Sequence, residues 1–549
     1  VVGKCGNSQT GSWGGMSTQR IREIKQRLSE LEDERRLLLN ELNERAPAEG
    51  DEKPYGTFVS TTPLANSEER IALFVRLFAC RTDVFPKHWE NQRKGTTGYS
   101  PACQLEWVRG ICGKPKVKCS VCPNQSFIPL DELAMRSHLE GTTTIGTYAI
   151  RVDDTCVFLA ADFDKSHWRE EATAYRSSAA EMGVPAYVEI SRSGNGAHVW
   201  IFFAEPIPAK YARQLGTIIL TRAFSSSRTI SFGSYDRFFP SQDTLPKGGF
   251  GNLIALPLQR IPRKNGNTVF VDETLMPYRD QWEFLSSVRL LSEEDVTEVV
   301  RRHSATIASH PGAQADPELL RAESSIHPPR NQKPIRYSGR ITMRLHSALE
   351  MKIQDLPARL VAELKRAATF ANPKFFELQR MRFSTWNTPR YICMAEQSED
   401  GRSMYLPRGL LSVCTEIARA AGADIETEDQ RPGYKRVAIK FTGKLRADQK
   451  KALRDLAVHD MGVLVAPPGS GKTVIACALV AKRKLPALIL VHRKQLADQW
   501  KQRLLKFTDL AKKQIGVYDS KGVRRKGIVD IGMLQTLARE KEADKILSD

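Results

Sequence analysis

The sequence predicts a multidomain α/β protein, and three observations lead to this prediction. Its 549 residues are too many for one hydrophobic core, since a domain usually holds about 100 to 200 residues. Between residues 67 and 300, helical patterns alternate with short β-rich runs bounded by Gly, Pro and Ser. From residue 441, the order strand, Gly-rich loop, helix is typical of nucleotide-binding α/β domains.

The composition predicts a globular protein of the cytoplasm. The chain is 41% hydrophobic and 26% charged, which excludes wholesale disorder and fibrous repeats. No stretch approaches about 18 uncharged apolar residues, and the N-terminal VVGKCGNSQTGSWGG lacks an apolar signal core, so we expect neither a membrane span nor export. Ten cysteines over this length argue against a disulfide scaffold.

The excess of positive over negative charge lies in the C-terminal half. The net charge is +19, with 36 Lys and Arg against 37 Asp and Glu in residues 1–300, and 46 against 26 in residues 301–549. A surface rich in Lys and Arg gains affinity for nucleic acid by releasing counterions. The asymmetry therefore indicates either contact with a polyanion or a well-solvated surface.

The N-terminal region predicts a helix between two unstructured segments. Residues 1–15 have the character of a leader or tag, and residues 48–66 that of a linker. Residues 16–47 are expected to form a helix with a heptad pattern. This helix pairs with a second copy as a short coiled coil, giving a homodimer through residues 17–45, or it lies on its own domain. The apolar heptad positions are Ile21, Ile24, Leu28, Leu31, Leu38 and Leu42.

Four further segments follow. Residues 67–300 form one α+β domain with strands at VFLAADFD, AYVEIS, HVWIFF and NLIALPLQ. Residues 301–340 lack apolar periodicity and form a linker, and residues 341–440 form a small mixed domain. Residues 441–549 form the nucleotide-binding α/β domain.

The segment GVLVAPPGSGKTVIACALVA predicts a phosphate-binding loop between a strand and a helix. Its glycines turn backbone N–H groups toward phosphate, Lys472 reaches the terminal phosphates, and Thr473 binds magnesium. Ala466 stands where the pattern G-x-x-x-x-G-K-T has its first Gly. We therefore expect ATP binding by Gly469, Ser470, Gly471, Lys472 and Thr473.

With LRADQ before this loop and LILVHRKQLADQW after it, the C-terminal domain resembles the first RecA-like domain of a superfamily-two DNA helicase. The resemblance implies that Gln449 reads adenine, and that His492, Arg493 and the later IGMLQTL contact the nucleic-acid backbone. The earlier ANPKFFELQRMRFSTWNTPRYI resembles the segment before the motor in XPB-like helicases. As a pattern it is basic and aromatic, suited to phosphate contact and base stacking; a packed helix and strand is the alternative.

The helicase pattern is incomplete in the printed sequence. After Thr536 the chain reaches Asp549 without a D-E-x-H or D-E-x-D box. We therefore expect ATP binding without hydrolysis at a helicase's rate and without unwinding, because both need carboxylates and a second lobe. The alternative is that the chain is a fragment of a longer helicase.

The strand VFLAADFDK carries Asp162 and Asp164 two residues apart, so both side chains face the same way and can share divalent metals. An exposed acidic strand end is the alternative for this pair alone. About 30 residues on, a Gly-rich turn in SRSGNGAHVWIFF places His198 at the start of another apolar strand.

The order D-x-D, s-x-H and a further Asp resembles archaeo-eukaryotic primases and primase-polymerases, and residues 67–290 resemble the primase domain of TOTE conflict systems. The matching segments are GYSPACQLEW, KPKVKCSVCPNQ, LAADFDK, SRSGNGAHVWIFF, SYDRFFPSQDTLPKGGFGNLIALPLQ and DQWEFL. The resemblance implies two catalytic Mg²⁺ or Mn²⁺ ions on Asp162 and Asp164, and His198 on the nucleotide triphosphate. It also implies that Arg192 and Ser193 lie near that triphosphate. The third metal ligand would be Asp236, which we favour over Asp243. Gly233 stands where an acidic residue is possible in relatives.

Cys103, Cys112, Cys119 and Cys122 follow the pattern C-x8-C-x6-C-x2-C. Four thiolates within twenty residues favour a closed structural Zn²⁺ site inserted in the α+β domain. Free buried cysteines and an iron–sulfur centre are the alternatives.

These patterns predict a DNA primase-polymerase joined to an incomplete helicase module. It would use NTP or dNTP substrates to make a new strand on a DNA template, and this template would be single-stranded or already primed. The rival hypothesis is a non-catalytic module of a mobile element or defence system that binds nucleic acid or senses nucleotides.

Overall fold

The computed structural model describes residues 26–27, 55–59, 64, 66–91, 95–164, 167–226, 237–303, 335–431, 433–519, 522–524 and 528–539. Of the predicted N-terminal helix, the described residues Gln26 and Arg27 are helical, and the rest of residues 16–47 lies outside the description. The chain divides into two compact units. The first draws on Val1–Ala223, Gly233–Ile307 and Phe376–Asn387, and the second on Phe224–Phe232, Ala308–Phe375 and Thr388–Asp549.

The first unit is a mixed α/β unit around one large sheet. Its helices are α1 Ser67–Phe78, α2 Glu132–Glu140, α3 Trp168–Ala180, α4 Ala209–Ser226, α5 Arg260–Arg263, α6 Gln281–Ser286 and α7 Glu293–Arg302. Its strands are β1 Thr57–Phe58, β2 Pro86–Asn91, β3 Thr96–Pro101, β4 Gly146–Tyr148, β5 Thr155–Phe163, β6 Tyr187–Ile190, β7 Ala197–Pro208, β8 Phe238–Phe239, β9 Leu253–Ala255, β10 Phe270–Val271 and β11 Arg289–Leu291.

The large sheet is built around β7. Its strand order is β1-β11-β7-β5-β8, with β6 pairing both β7 and β10. Strand β5 runs antiparallel along one edge of β7, while β6 (antiparallel) and β11 (parallel) share the other edge. The four apolar runs predicted as strands overlap β5, β6, β7 and β9. The hairpin β2-β3 and the two-stranded sheet β4-β9 lie outside the large sheet.

Helix α1 covers one face of this sheet. Asn66 caps it by accepting hydrogen bonds from the backbone N–H groups of Glu68 and Glu69, both at 2.9 Å, which satisfies two otherwise unpaired donors. The Phe78 ring meets Trp200 and Phe202 of β7 edge-on, with centroids 5.2 and 5.4 Å apart. Such aromatic contacts add to the area they bury, so they hold β7 firmly in the core.

The second unit contains two sheets with separate cores. The first has the order β16-β17-β13-β12-β18 and the second the order β19-β22-β20-β21; β14 and β15 form a separate hairpin. Its helices are α8 Ala358–Ala367, α9 Pro373–Arg380, α10 Leu411–Ala420, α11 Ala447–Ala457, α12 Lys472–Arg483, α13 Lys494–Phe507 and α14 Leu534–Leu537, where α9 continues into the first unit from Phe376. Its strands are β12 Arg340–Leu345, β13 Leu349–Lys352, β14 Thr369–Ala371, β15 Tyr391–Cys393, β16 Glu396–Gln397, β17 Ser403–Leu406, β18 Asp424–Asp429, β19 Ala487–Val491, β20 Ile515–Asp519, β21 Gly522–Arg524 and β22 Val529–Met533.

One predicted strand was wrong. The apolar run at residues 462–466, before the Gly-rich loop, forms no strand, and Val463 and Val465 are 86% and 90% exposed. A strand needs a paired neighbour for its backbone groups. Among the described residues, β19 pairs only with β22, so no ladder includes this run.

No helix in the described part of the chain is long and apolar enough to cross a membrane.

Candidate functional site

Three polar side chains lie in one row across the centre of the large sheet. Asp162 of β5 is directly opposite His198 of β7, and His198 is directly opposite Glu189 of β6. Directly opposed residues on neighbouring strands project from the same face of a sheet. The strand register therefore brings together two residues predicted from the sequence and one that was not.

Glu189 orients the imidazole of His198. Its side chain is buried, and Oε2 accepts hydrogen bonds from Nδ1 of His198 at 2.6 Å and from Nε1 of Trp200 at 3.2 Å. A carboxylate can only accept, so Nδ1 carries a proton and Nε2 is left to face Asp162, whose Oδ1 is 3.9 Å away. Glu189 was not predicted from the sequence. The available signal was a Glu within an apolar strand, since a buried carboxylate needs a partner.

The charge on Glu189 also acts on the ionisation of His198. Burial lowers the pKa of His198, but the charge and hydrogen bond of Glu189, with a smaller contribution from Asp162, outweigh burial, and the pKa is raised above its usual value. The imidazolium form is therefore favoured by its surroundings.

Asp164 lies just beyond the end of β5 and is ion-paired with the guanidinium of Arg237. The backbone of the two segments is also joined, because the N–H of Asp162 donates to the carbonyl of Arg237 at 3.0 Å. Both carboxylates of the D-x-D pair thus have a basic side chain as neighbour. The predicted third ligand Asp236, and Gly233, lie outside the described residues.

Asp243, the alternative third ligand, is engaged elsewhere. Its Oδ1 accepts a hydrogen bond from Nη1 of the buried Arg213 at 2.5 Å, and its Oδ2 accepts one from Nε2 of Gln379 at 2.7 Å. Both carboxylate oxygens of Asp243 thus have strong donors in this structure. The choice of Asp236 over Asp243 as the third metal ligand stays a prediction.

Arg192 and Ser193 lie on the turn between β6 and β7, where Gly194 has a φ of 75°. Nη2 of Arg192 is 3.4 Å from Oε1 of Glu90 on the β2-β3 hairpin. The Ser193 hydroxyl accepts from the backbone N–H of Asn195 at 3.2 Å. The turn therefore places both residues within six positions of His198, at the end of the sheet that carries the acidic pair.

The four cysteines Cys103, Cys112, Cys119 and Cys122 line one small cavity of the first unit. Backbone N–H groups of Lys114 and Trp107 lower the pKa of the Cys112 thiol, which favours the thiolate that binds metals. The described residues contain no group of three or more His, Cys, Asp or Glu arranged to hold a metal ion. The donor set suits Zn²⁺ in kind, and the site remains a proposal.

The Gly-rich loop precedes α12, as predicted. Gly469 and Gly471 have φ values of 81° and 84°, a region that L residues rarely adopt. Nζ of Lys472 donates to the carbonyls of Ala466 and Pro467 at 2.7 and 3.0 Å. The buried Ser470 hydroxyl has no hydrogen-bond partner among the described residues. A lysine resting on its own loop and an unpaired hydroxyl both suit a phosphate ligand.

Gln449 contacts this loop directly. Its Nε2 donates to the carbonyl of Ser470 at 3.0 Å, and its Oε1 accepts from the backbone N–H of Arg446 at 3.1 Å. The side chain is buried. Gln449 thus links α11 to the phosphate loop, a contact that the predicted adenine-reading role does not include.

Two parts of the chain match known protein families. Residues 69–299 match the family described as "TOTE conflict system, Archaeo-Eukaryotic Primase domain". Residues 442–549 match "Type III restriction enzyme, res subunit". The predicted resemblance to a TOTE-type primase joined to a helicase-like domain is confirmed.

Among curated proteins, parts of the chain are similar to proteins of viruses and microorganisms. A putative helicase 109L of Invertebrate iridescent virus 3 is 33% identical over 130 residues, 22% of this chain and 37% of the relative. The DNA 3'-5' helicase XPB of Kineococcus radiotolerans is 40% identical over 74 residues, 14% of this chain and 13% of the relative. The chain therefore spans well under half the length of these relatives.

Two solved structures are similar to parts of the chain. The UvsW helicase of bacteriophage T4 is 15% identical, with a TM-score of 0.27, and the match covers 37% of this chain and 78% of that one. The polymerase domain of Mycobacterium tuberculosis Ligase D in complex with DNA is 15% identical, with a TM-score of 0.22, covering 43% and 87%.

In the helicase-like domain, the two segments predicted to contact a nucleic-acid backbone lie together. His492 and Arg493 line the same cleft as Gln535 and Thr536, and Nε2 of Gln535 donates to the carbonyl of His492 at 2.9 Å. The sequence named both segments, and the structure brings them to one surface.

Proposed function

We propose that the primase domain catalyses nucleotidyl transfer on a DNA template, adding NTP or dNTP substrates to the 3′-hydroxyl of the strand that it makes. The observation that carries this proposal is the row of Asp162, His198 and Glu189 across three adjacent strands. It places a carboxylate of the D-x-D pair beside an imidazole of fixed orientation, as a nucleotide-polymerising site needs for a metal and a triphosphate.

Asp162 and Asp164 supply carboxylates of the kind that a divalent cation prefers. They lie two residues apart at the end of β5, and in this structure their neighbours are the basic side chains of His198 and Arg237 respectively. Asp162, Asp164 and, in this proposal, Asp236 would hold Mg²⁺ or Mn²⁺. The bound metals would lower the pKa of the attacking 3′-hydroxyl and stabilise the leaving pyrophosphate.

The other side chains would bind and orient the substrate. His198 would contact the triphosphate through Nε2, and Arg192 and Ser193 would contact it from the adjoining turn. Glu189 acts as a positioning residue, because it holds Nδ1 of His198 and thereby the plane of the ring. Arg237 would exchange its contact with Asp164 for one with a phosphate when the metals enter.

The remaining parts would support this chemistry. Zn²⁺ on Cys103, Cys112, Cys119 and Cys122 would close the cysteine segment into a rigid loop. ATP would bind the helicase-like domain at Gly469, Ser470, Gly471, Lys472 and Thr473, and Gln449 would hold that loop in place.

A primer assay on single-stranded template with labelled nucleotides tests the proposal. We expect products longer than the supplied primer, or new oligonucleotides without one, in Mg²⁺ or Mn²⁺ and none after chelation. Nucleotide binding without any incorporation, under every metal and template tried, would favour a nucleotide-sensing module instead.

A further inference from the structure

Residues Phe376–Asn387 pack within the first unit, although the sequence analysis assigned them to the small domain before the helicase. Arg382 forms a two-fold ion pair with Asp154, Nη2 to Oδ2 at 2.7 Å and Nη1 to Oδ1 at 3.3 Å. Its carbonyl accepts from the backbone N–H of Lys247 at 2.9 Å. Gln379 bonds to Asp243 at 2.7 Å. The segment is therefore anchored to the primase domain by polar contacts.

Three apolar side chains in the C-terminal part of this segment face outward. Trp386 is 87% exposed and Phe383 52% exposed, and Met381 is exposed beside them. A segment that docks on a protein normally buries its apolar residues and leaves its polar ones in water. Here the polar residues hold the segment and the rings face solvent, which is the pattern of a surface that meets a partner.

The rings lie in basic surroundings. Arg380 and Lys247 are exposed next to them. The loop that follows Lys247 approaches the cysteine segment, because a Cβ at Gly248 would lie 3.8 Å from the carbonyl oxygen of Ser120. That segment adds the exposed Lys116 and Lys118.

Two acidic residues that contact the segment are already paired, Asp154 with Arg382 and Asp243 with Arg213. Glu377, on the segment itself, is half-buried. The exposed cations therefore remain available to an anionic partner.

We propose that Met381, Phe383 and Trp386, with Lys247 and Arg380, form a binding surface for single-stranded nucleic acid. Exposed rings stack on unpaired bases while nearby cations contact phosphates, and this combination suits single strands of any sequence. An apolar protein partner would use the rings but gain little from the cations. The inference rests on the proposed function in that it names where the primase domain holds its template strand.

The test is the affinity of the full chain for a fluorescent oligothymidylate, measured by anisotropy without nucleotide or metal. Phe383→Ala and Trp386→Ala should each weaken binding about tenfold, the effect of losing one stacked base, whereas Trp386→Phe should retain most of the affinity. Phe370→Ala, which removes a similarly exposed ring on β14, is the matched control and should leave the affinity unchanged. A duplex of the same length should respond much less, because its bases are already stacked.

Unchanged single-strand affinity in the Phe383→Ala and Trp386→Ala variants would overturn the inference. Equal losses in Phe370→Ala, or a change of oligomeric state in place of DNA affinity, would also overturn it. The assay needs no catalysis, so a chain that binds through these rings but makes no product would contradict the proposed function alone. Thermal unfolding of each variant checks that the fold is intact.

Discussion

Oε2 of Glu189 and Nδ1 of His198 are joined by a hydrogen bond of 2.6 Å inside the large sheet. The same oxygen accepts from Nε1 of Trp200, so the carboxylate is fixed from two sides. One buried acid thus determines which nitrogen of His198 faces Asp162.

The first prediction concerns this pair. Glu189→Ala should lower the rate of nucleotidyl transfer about 10- to 100-fold, the usual effect of removing a group that orients a ligand-binding His. Glu189→Gln should restore much of the rate, because its amide oxygen can accept the same hydrogen bond. Glu205→Ala, at an exposed position of β7, is the control and should keep the wild-type rate. Steady-state kinetics with varied nucleotide check this; equal defects in the Ala and Gln variants would show that orientation of His198 is not the cause.

The second prediction concerns the four cysteines. Freshly purified protein should contain about one zinc per chain, and Cys119→Ser should lose it and lower the unfolding temperature, because ligation and folding of such a loop are coupled. Cys393→Ser, at a half-buried cysteine outside the cluster, should keep the metal. Elemental analysis decides, and wild-type protein without stoichiometric metal would refute the site.

The third prediction concerns ATP. Lys472→Ala should weaken ATP binding roughly 10- to 100-fold, the range expected for one lost charge-assisted hydrogen bond. Lys451→Ala, at an exposed position of α11, should bind ATP as the wild type does. Titration with a fluorescent ATP analogue measures both, and equal affinity in the two variants would place the nucleotide elsewhere.

The fourth prediction is a loss of stability in acid caused by His138. Its Nε2 lies 2.9 Å from the carbonyl of Pro257, its Nδ1 accepts from the N–H of Ile145 at 3.2 Å, and burial lowers its pKa from 6.5 to about 4; Arg192 and Arg263 contribute in the same direction. Between these values the unfolded chain binds the proton and the folded chain does not. This stability is therefore present above pH 6.5 and is lost as the pH falls toward 4.

Urea unfolding at pH 7 and pH 5.5 measures this effect. The free energy of unfolding should fall by about 1 kcal/mol more for the wild type than for His138→Gln over this interval. Identical pH dependence in the two proteins would show that His138 takes up its proton equally well in the folded state.

The sequence predicted the parts of the site that depend on local pattern. Buried strands appear in a sequence as runs of apolar residues. The strands β5 and β7 could therefore be located from the sequence, and with them Asp162 and His198. Glu189 was missed because its role depends on the register of β6 against β7, which the short run AYVEIS does not specify. The strand at residues 462–466 was predicted wrongly because a strand's existence depends on a neighbour as well as on its own residues. The ion pair between Arg382 and Asp154, which lie 228 residues apart in the chain, leaves no local sequence pattern from which it could be predicted.

The central claim is that Asp162 and Asp164 hold the catalytic metals of a nucleotidyltransferase. Primer extension by Asp162→Asn, compared with wild type and with Asp153→Asn at the turn before β5, tests it most directly. We expect Asp162→Asn to lose about 10³-fold or more of the rate with unchanged affinity for DNA, and Asp153→Asn to remain active. Extension by Asp162→Asn at the wild-type rate would contradict the account.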